Sequence, residues 1–311
     1  MRIVEAAEAR ERLTPQVCID LMKEAFVALE SGQADQPLRS IVKLPDGEAF
    51  GFMPAYLGPE DCFGAKVITA FHKNAGTAYP SHMGYVMLFE SLHGSFVGMA
   101  DASVITEVRT GAVSAVATDL LARKNARSLA IIGAGAQGRS HLAAIRCVRD
   151  IHEVRVYDLN PQSAQRYASE MQEAHGVPVR VAESAEDCVR GADVICTLTP
   201  SKEPFLKREW IQPGAHINAV GTFSPVTREV TSKLVAASRL YSDYTASMKK
   251  ECGEYLIPLG EGLIGEDHIV GSIGEVLLGR APARSSDDEI TLFDALGLAV
   301  EDVMCARYLC T

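Results

Sequence analysis

Residues 129–138 read Leu-Ala-Ile-Ile-Gly-Ala-Gly-Ala-Gln-Gly, and Asp158 closes the next apolar run. No other stretch constrains the fold as much. Its order is strand, glycine turn, helix, second strand, acid. Leu129 to Ile132 form a short apolar run suited to a buried strand. Gly133, Gly135 and Gly138 give the G-x-G-x-x-G spacing. The first glycine allows a tight turn, the second lets a pyrophosphate approach the backbone, and the third lets the helix pack closely on the strand. A helix from about Gln137 to Val148 aims its N-terminal N–H groups at the phosphates. Asp158 lies 20 residues past Gly138, where a carboxylate can accept the ribose hydroxyls of an adenosine. The glycines alone are a weak signal, since an ordinary βαβ turn can carry them. Strand, helix and acid in step with them point to dinucleotide binding. Asp158 favours NAD(H), because a 2′-phosphate would meet its carboxylate. Leu159 and Asn160 follow it, and the nearest arginine is Arg166. NADP(H) stays open as the alternative.

The rest of the chain is read around that unit. At 311 residues, with 47% apolar and 23% charged residues, it is long enough for two domains and a large core. The net charge of −10 argues against nucleic acid and anionic membranes as partners, though not against a local basic site for a small anion. The N-terminal Met-Arg-Ile-Val-Glu carries no apolar run of signal-peptide type, and no segment approaches a membrane span. The eight cysteines are scattered without a C-x-x-C pair, as in reduced cores, so the expected location is cytoplasmic. The eight histidines show no H-E-x-x-H context, and His72 and His82 stand ten apart, so no metal is expected.

Thr14 and Pro15 open a helix whose apolar positions recur to Leu29, and Gly32 closes it. From Ile41 to Phe96, short apolar or alternating runs separated by turn residues predict a mostly antiparallel sheet. Val104 to Lys124 then reads as a long helix rich in small residues. After Asp158, helices near Ser163–Ala174 and Ser184–Val189 alternate with strands at Val179–Val181, Asp193–Leu198, His216–Val220 and Arg239–Ser242. This alternation predicts an α/β, doubly wound Rossmann domain. The tail from Asp287 to Tyr308 reads as an amphipathic helix whose place periodicity does not fix. Lys66, Arg39 and Arg109 are the candidates for anion and substrate chemistry. Lys66 lies in the apolar run 63–68, where a lysine costs desolvation unless it has a partner or a task. A solvated face or a structural ion pair is the plain alternative for each of the three. His82 is a candidate for lining the substrate site, with an exposed loop histidine as its plain alternative.

Several segments in fixed order carry a resemblance. They are Gly64-Ala65-Lys66, Tyr79-Pro80-Ser81-His82-Met83-Gly84, Arg109-Thr110-Gly111-Ala112, the glycine turn at 132–137, Asn218-Ala219-Val220-Gly221, residues 271–279 and residues 285–294. Together they resemble the ornithine cyclodeaminase/mu-crystallin family from about residue 37 to 305. The resemblance implies an NAD(P)-dependent oxidoreductase acting on amino acids or their imines. It implies a substrate-binding and dimerisation domain of α+β type, residues 1–112 with 290–311, beside a Rossmann domain over 113–289. A homodimer built through the sheet domain is implied as well. Arg39 and Arg109 match the family's carboxylate-binding arginines, and Lys66 its active-site lysine. Gly133, Gly135, Ala136, Gln137 and Gly138 match the pyrophosphate turn, Asp158 the ribose acid, and Thr199, Val220 and Gly221 complete the implied cofactor set. Guanidinium forks hold a carboxylate bidentately, and a lysine of depressed pKa can exchange a proton with an imine nitrogen or a water.

Two positions depart from the family's amine-oxidising members. Ornithine cyclases and alanine dehydrogenases carry an aspartate where this chain has Phe223, and ornithine cyclases carry a glutamate where it has Gly51. A terminal ammonium would then lack a counter-charge. Gly221-Thr222-Phe223-Ser224-Pro225 instead resembles the branch that reduces cyclic ketimines such as Δ1-pyrroline-2-carboxylate. The expected activity is therefore reduction of an α-imino acid. Ornithine cyclodeamination, another amino or imino acid dehydrogenation such as that of alanine, and a non-enzymatic mu-crystallin-like binding role are the alternatives.

Overall fold

The computed structural model describes residues 1–74, 77, 79–80 and 82–311. Ser81, part of one motif above, lies outside them. In chain order the elements begin with β1 (Arg2–Val4), α1 (Ala6–Arg12), α2 (Pro15–Glu30), β2 (Ser40–Lys43), β3 (Ala49–Tyr56) and β4 (Cys62–Ala70). Next come β5 (His82–Glu90), β6 (Phe96–Asp101), α3 (Ala102–Leu121), β7 (Ser128–Ile132), α4 (Ala136–Val148), β8 (Glu153–Tyr157) and α5 (Pro161–His175). They continue with β9 (Val179–Val181), α6 (Ala185–Val189), β10 (Val194–Thr197), β11 (His216–Ala219), α7 (Ser232–Ala236), β12 (Arg239–Ser242) and α8 (Thr245–Glu251). Last are α9 (Gly253–Gly260), β13 (Ile269–Ser272), α10 (Ile273–Leu277), β14 (Thr291–Asp294) and α11 (Ala299–Cys310). The chain divides into two units, Met1–Arg109 with Gly297–Thr311, and Thr110–Leu296. Among the described residues no helix is long and apolar enough to cross a membrane.

The first unit is a six-stranded sheet in the order β1-β6-β5-β4-β3-β2, antiparallel from β6 to β2. The expected hairpins are present, and β1 adds a strand that the sequence reading lacked, parallel to β6. Alternation sorts the two faces. On β3, Gly51, Met53 and Ala55 turn inward, while Phe50, Phe52 and Tyr56 turn out. Register places Lys66 opposite Met53 and Val86, on the inward face. Helix α11 packs on that face and against α2. Thr14 caps α2 by accepting from the Val17 N–H at 3.4 Å, with Pro15 in the first turn. The buried face of α2 includes Ile19, Met22 and Phe26, and its Cys18 Sγ lies 3.8 Å from Cys305 of α11. All eight cysteines are free.

The second unit is an eight-stranded parallel sheet in the order β13-β12-β14-β11-β10-β7-β8-β9. The order reverses direction between β7 and β10, which is the switch point of a doubly wound sheet. Here the tail departs from expectation. Thr291–Asp294 is not helical but is β14, inserted between β11 and β12. Every residue of β14 is buried, so it shows no alternation, and a short apolar run of this kind has no period by which to tell strand from helix. Polar pairing helps seat the strand: His216 Nδ1 of β11 stands 2.9 Å from Thr291 Oγ1. The return to the first unit, expected at residue 290, accordingly falls at Gly297. The helix that follows is also less amphipathic than expected, since even Glu301 and Asp302 in its first turn are buried.

Candidate functional site

In the first unit, three expected residues converge on the start of α11. Lys66 is 3% exposed, and its Nζ lies 2.6 Å from Asp302 Oδ2. It also donates to Thr106 Oγ1 at 3.4 Å. Burial pushes the lysine pKa down to about 8; Asp302 pulls it up and Arg109 pushes it further down. Arg109 donates from Nε to Asp302 Oδ1 at 3.2 Å and from Nη1 to Glu301 Oε2 at 2.8 Å. Burial opposes the guanidinium's charge, but the two carboxylates outweigh it and its pKa is raised. Arg39 donates from Nη2 to the Gly297 carbonyl at 2.9 Å. Three cationic side chains thus converge beside Asp302 and Glu301, and guanidinium and ammonium donors of this kind suit an incoming carboxylate.

Gly297 links the two arginines. Its φ is +81°, and a Cβ there would stand 2.8 Å from both Nη atoms of Arg109. Only glycine fits both the backbone and the guanidinium lying over it. His82 is not part of this convergence. It begins β5 on the same sheet face as Lys66 but four residues from Val86, the partner of Lys66, or about 13 Å along the strand.

In the second unit the three glycines of the turn have different surroundings. Gly133 has φ +108°, and a Cβ would meet the Leu198 carbonyl at 2.7 Å. At Gly138 a Cβ would meet the Gly133 carbonyl at 2.6 Å and the Tyr167 ring at 3.2 Å, so helix and strand could not close up. Gly135 has nothing within 4 Å of its absent Cβ, which leaves its backbone open to a ligand. No side chain caps α4 at Gly135, and Ala136 and Gln137 form its first turn. Asp158 accepts from the Ala134 N–H through Oδ2 and from the Asn160 N–H through Oδ1, each at 2.8 Å, tying the end of β8 to the glycine turn. The open cradle at Gly135, the uncapped helix start and the fixed carboxylate fit a dinucleotide. Thr199 and Gly221 meet one buried acid, Glu229, and Val220 N–H donates to the Thr197 carbonyl at 3.1 Å.

Sequence reasoning missed four contributors. Glu301 and Asp302 were hidden in a tail whose place periodicity could not fix. Arg139 donates to the Ala134 carbonyl at 2.8 Å and the Gly135 carbonyl at 3.1 Å, bracing the turn from the helix itself. Glu229 gave no signal beyond an acid in a loop.

With this geometry established, comparison with known proteins is direct. The profile of the ornithine cyclodeaminase/mu-crystallin family matches residues 1–310. Ketimine reductase mu-crystallin of Mus musculus is 40% identical over 277 residues, covering 89% of this chain and 84% of that protein. The structure of Thermococcus litoralis Δ1-pyrroline-2-carboxylate reductase with NADH and L-proline superposes with a TM-score of 0.96 at 34% identity, covering 100% of this chain and 96% of the other. An archaeal alanine dehydrogenase dimer with bound NAD gives a TM-score of 0.93 at 31% identity, covering 99% and 94%.

Gly297→Ala tests the arginine arrangement. A left-handed alanine costs about 1–2 kcal/mol, and its methyl displaces the Arg109 guanidinium. The expected result in steady-state kinetics is a KM for a carboxylate substrate raised about tenfold, with the Kd for NADH unchanged. An unchanged KM would remove Arg109 from carboxylate binding.

Proposed function

The chain belongs to the ornithine cyclodeaminase/mu-crystallin family, and we propose that it is an NADH-dependent reductase that converts a cyclic α-imino acid of the Δ1-pyrroline-2-carboxylate type to the α-amino acid. The observation that carries this reading is the convergence of Lys66, Arg39 and Arg109 at the start of α11, beside Asp302 and Glu301. Arg39 and Arg109 hold the substrate carboxylate. Arg109 is already oriented by two acids, so little freedom is lost when it binds. Lys66, poised near pH 8, delivers a proton to the imine nitrogen, and Asp302 steadies the ammonium before that transfer. When bound, NADH supplies the hydride that the α-carbon receives. Asp158 selects NAD(H) over NADP(H) by presenting a carboxylate to the ribose.

Two positions favour imine reduction over ornithine cyclisation. Gly51 shares the inward face with Lys66, and a Cβ there would already press on Ile68 Cγ2 at 3.2 Å and Ile41 Cδ1 at 3.3 Å. Phe223, 58% exposed, is apolar at the position where the family's amine-oxidising members, by the resemblance, carry an aspartate. The capture of the Thermococcus relative with L-proline supports the same choice.

A homodimer belongs to this reading. The outward face of the first unit's sheet exposes Val42, Phe50, Phe52, Tyr56, Met83 and Phe96. So contiguous an apolar face marks an interaction surface, and a second copy of the same face covers it about a two-fold axis. The archaeal relative is a dimer.

Two measurements follow. NADH oxidation should be fast with Δ1-pyrroline-2-carboxylate and at least about tenfold slower with NADPH, while L-ornithine with NAD should release little ammonia. Rapid ammonia release without imine reduction would reverse the choice of reaction, and a preference for NADPH would overturn the role of Asp158. In sedimentation velocity the chain should run at twice its 33.5 kDa mass, and Phe52→Lys should shift it toward monomer by placing a charge in a buried apolar contact. A dimer indifferent to Phe52→Lys would place the interface elsewhere.

A further inference from the structure

Glu229 lies in the loop between β11 and α7 and is completely buried. Its Oε1 accepts from the Thr199 N–H at 2.8 Å and from the Thr199 hydroxyl at 2.7 Å, and its Oε2 accepts from the Gly221 N–H at 2.9 Å. Among the described residues no cationic side chain pairs with it. A carboxylate buried without a cation is costly unless its hydrogen bonds are needed.

The two turns it joins are adjacent. Thr199 follows β10 and Gly221 follows β11, neighbouring parallel strands with Thr197 opposite Ala219. Gly221 lies so close that a Cβ would stand 2.2 Å from the Thr199 carbonyl and 2.6 Å from Glu229 Oε2. On its other side, β10 neighbours β7, and the Leu198 carbonyl packs on Gly133 of the glycine turn. The turn at Leu198–Thr199 is therefore the wall opposite the glycine turn in the crevice at the switch point of the sheet, where ligands of such sheets bind. A second buried acid supports the first: Glu254 accepts from the Glu229 N–H at 2.7 Å and from the Thr222 hydroxyl at 3.2 Å.

We propose that Glu229 is a positioning residue for the dinucleotide: its carboxylate clamps the turn after β10 to the turn after β11 and so fixes the crevice wall that faces the glycine turn. The proposal rests on the reading that the second unit binds NAD(H). A carboxylate suits this task better than its amide, because three donors point at it. In Glu229→Gln the new NH2 group would face either the Thr199 donors or the Gly221 N–H, and one turn would be released.

The test is NADH titration by fluorescence, paired with the rise in melting temperature that NADH induces in wild type and variant. Glu229→Gln should raise the Kd for NADH on the order of tenfold to a hundredfold, since hydrogen bonds to a charged group are being lost. The NADH-induced rise in melting temperature should shrink, while the KM for Δ1-pyrroline-2-carboxylate stays within about threefold of wild type. Should the glutamine variant not fold, Glu229→Asp, which keeps the charge but is too short to reach both turns, should show the same loss of NADH affinity. A folded variant that binds NADH with the wild-type Kd would overturn the proposal. So would equal damage to NADH and imino-acid binding, the mark of general destabilisation. If the unmutated chain itself fails to bind NADH, the dinucleotide reading falls and the clamp with it, a result distinct from a clamp failure in a chain that binds.

Discussion

Asp302 is completely buried, with Lys66 at 2.6 Å on one carboxylate oxygen and Arg109 at 3.2 Å on the other. The first unit is organised around this contact. Three buried ionic groups would be expensive if any one were left alone, and removing a single partner from such a group typically costs about 3–5 kcal/mol. The three elements that carry them are therefore fixed relative to one another: the central strand β4, the helix α3 and the C-terminal helix α11. Glu301 adds a second acid to Arg109, and Gly297 leaves room for the guanidinium. The same arrangement ties α11 to the sheet and holds Lys66 and Arg109 in place.

The second unit solves a comparable problem with backbone groups in place of ion pairs. Its turns carry N–H donors that secondary structure does not satisfy, and buried or half-buried acids collect them. Asp158 takes the Ala134 and Asn160 N–H groups, and Glu229 takes those of Thr199 and Gly221. Gly135 alone among the three motif glycines keeps open space beside it, as a backbone approached by a ligand requires. Each acid therefore shapes the rim of the sheet's C-terminal edge, where a dinucleotide is expected to bind.

The extent to which these features could be read from sequence follows from how local each one is. The glycine turn was legible because its three glycines, strand, helix and acid all fall within about thirty residues. The hairpins of the first sheet were legible because one face is exposed, so alternation survives. β14 was not, because it is buried all round and shows no period, and α11 was legible as a helix but not in its start, its buried acids or its place. Lys66 stood out as a charge in an apolar strand, yet its partner lies 236 residues away. Asp302 and Glu229 acquire meaning only through contacts across the chain, and no spacing rule encodes those. His82, chosen by its motif, shares the face but not the neighbourhood of Lys66.

In the proposed reaction Asp302 sets the protonation of Lys66, which gives its proton to the substrate. The most direct test is the pH dependence of kcat for imine reduction at saturating substrate and NADH. With Lys66 titrating near pH 8, kcat should fall as pH rises through that value, because the proton donor is lost. Asp302 raises the lysine pKa, so Asp302→Asn should move the fall to lower pH. A wild-type profile flat from pH 7 to about pH 9, or one whose midpoint Asp302→Asn leaves in place, would contradict the account.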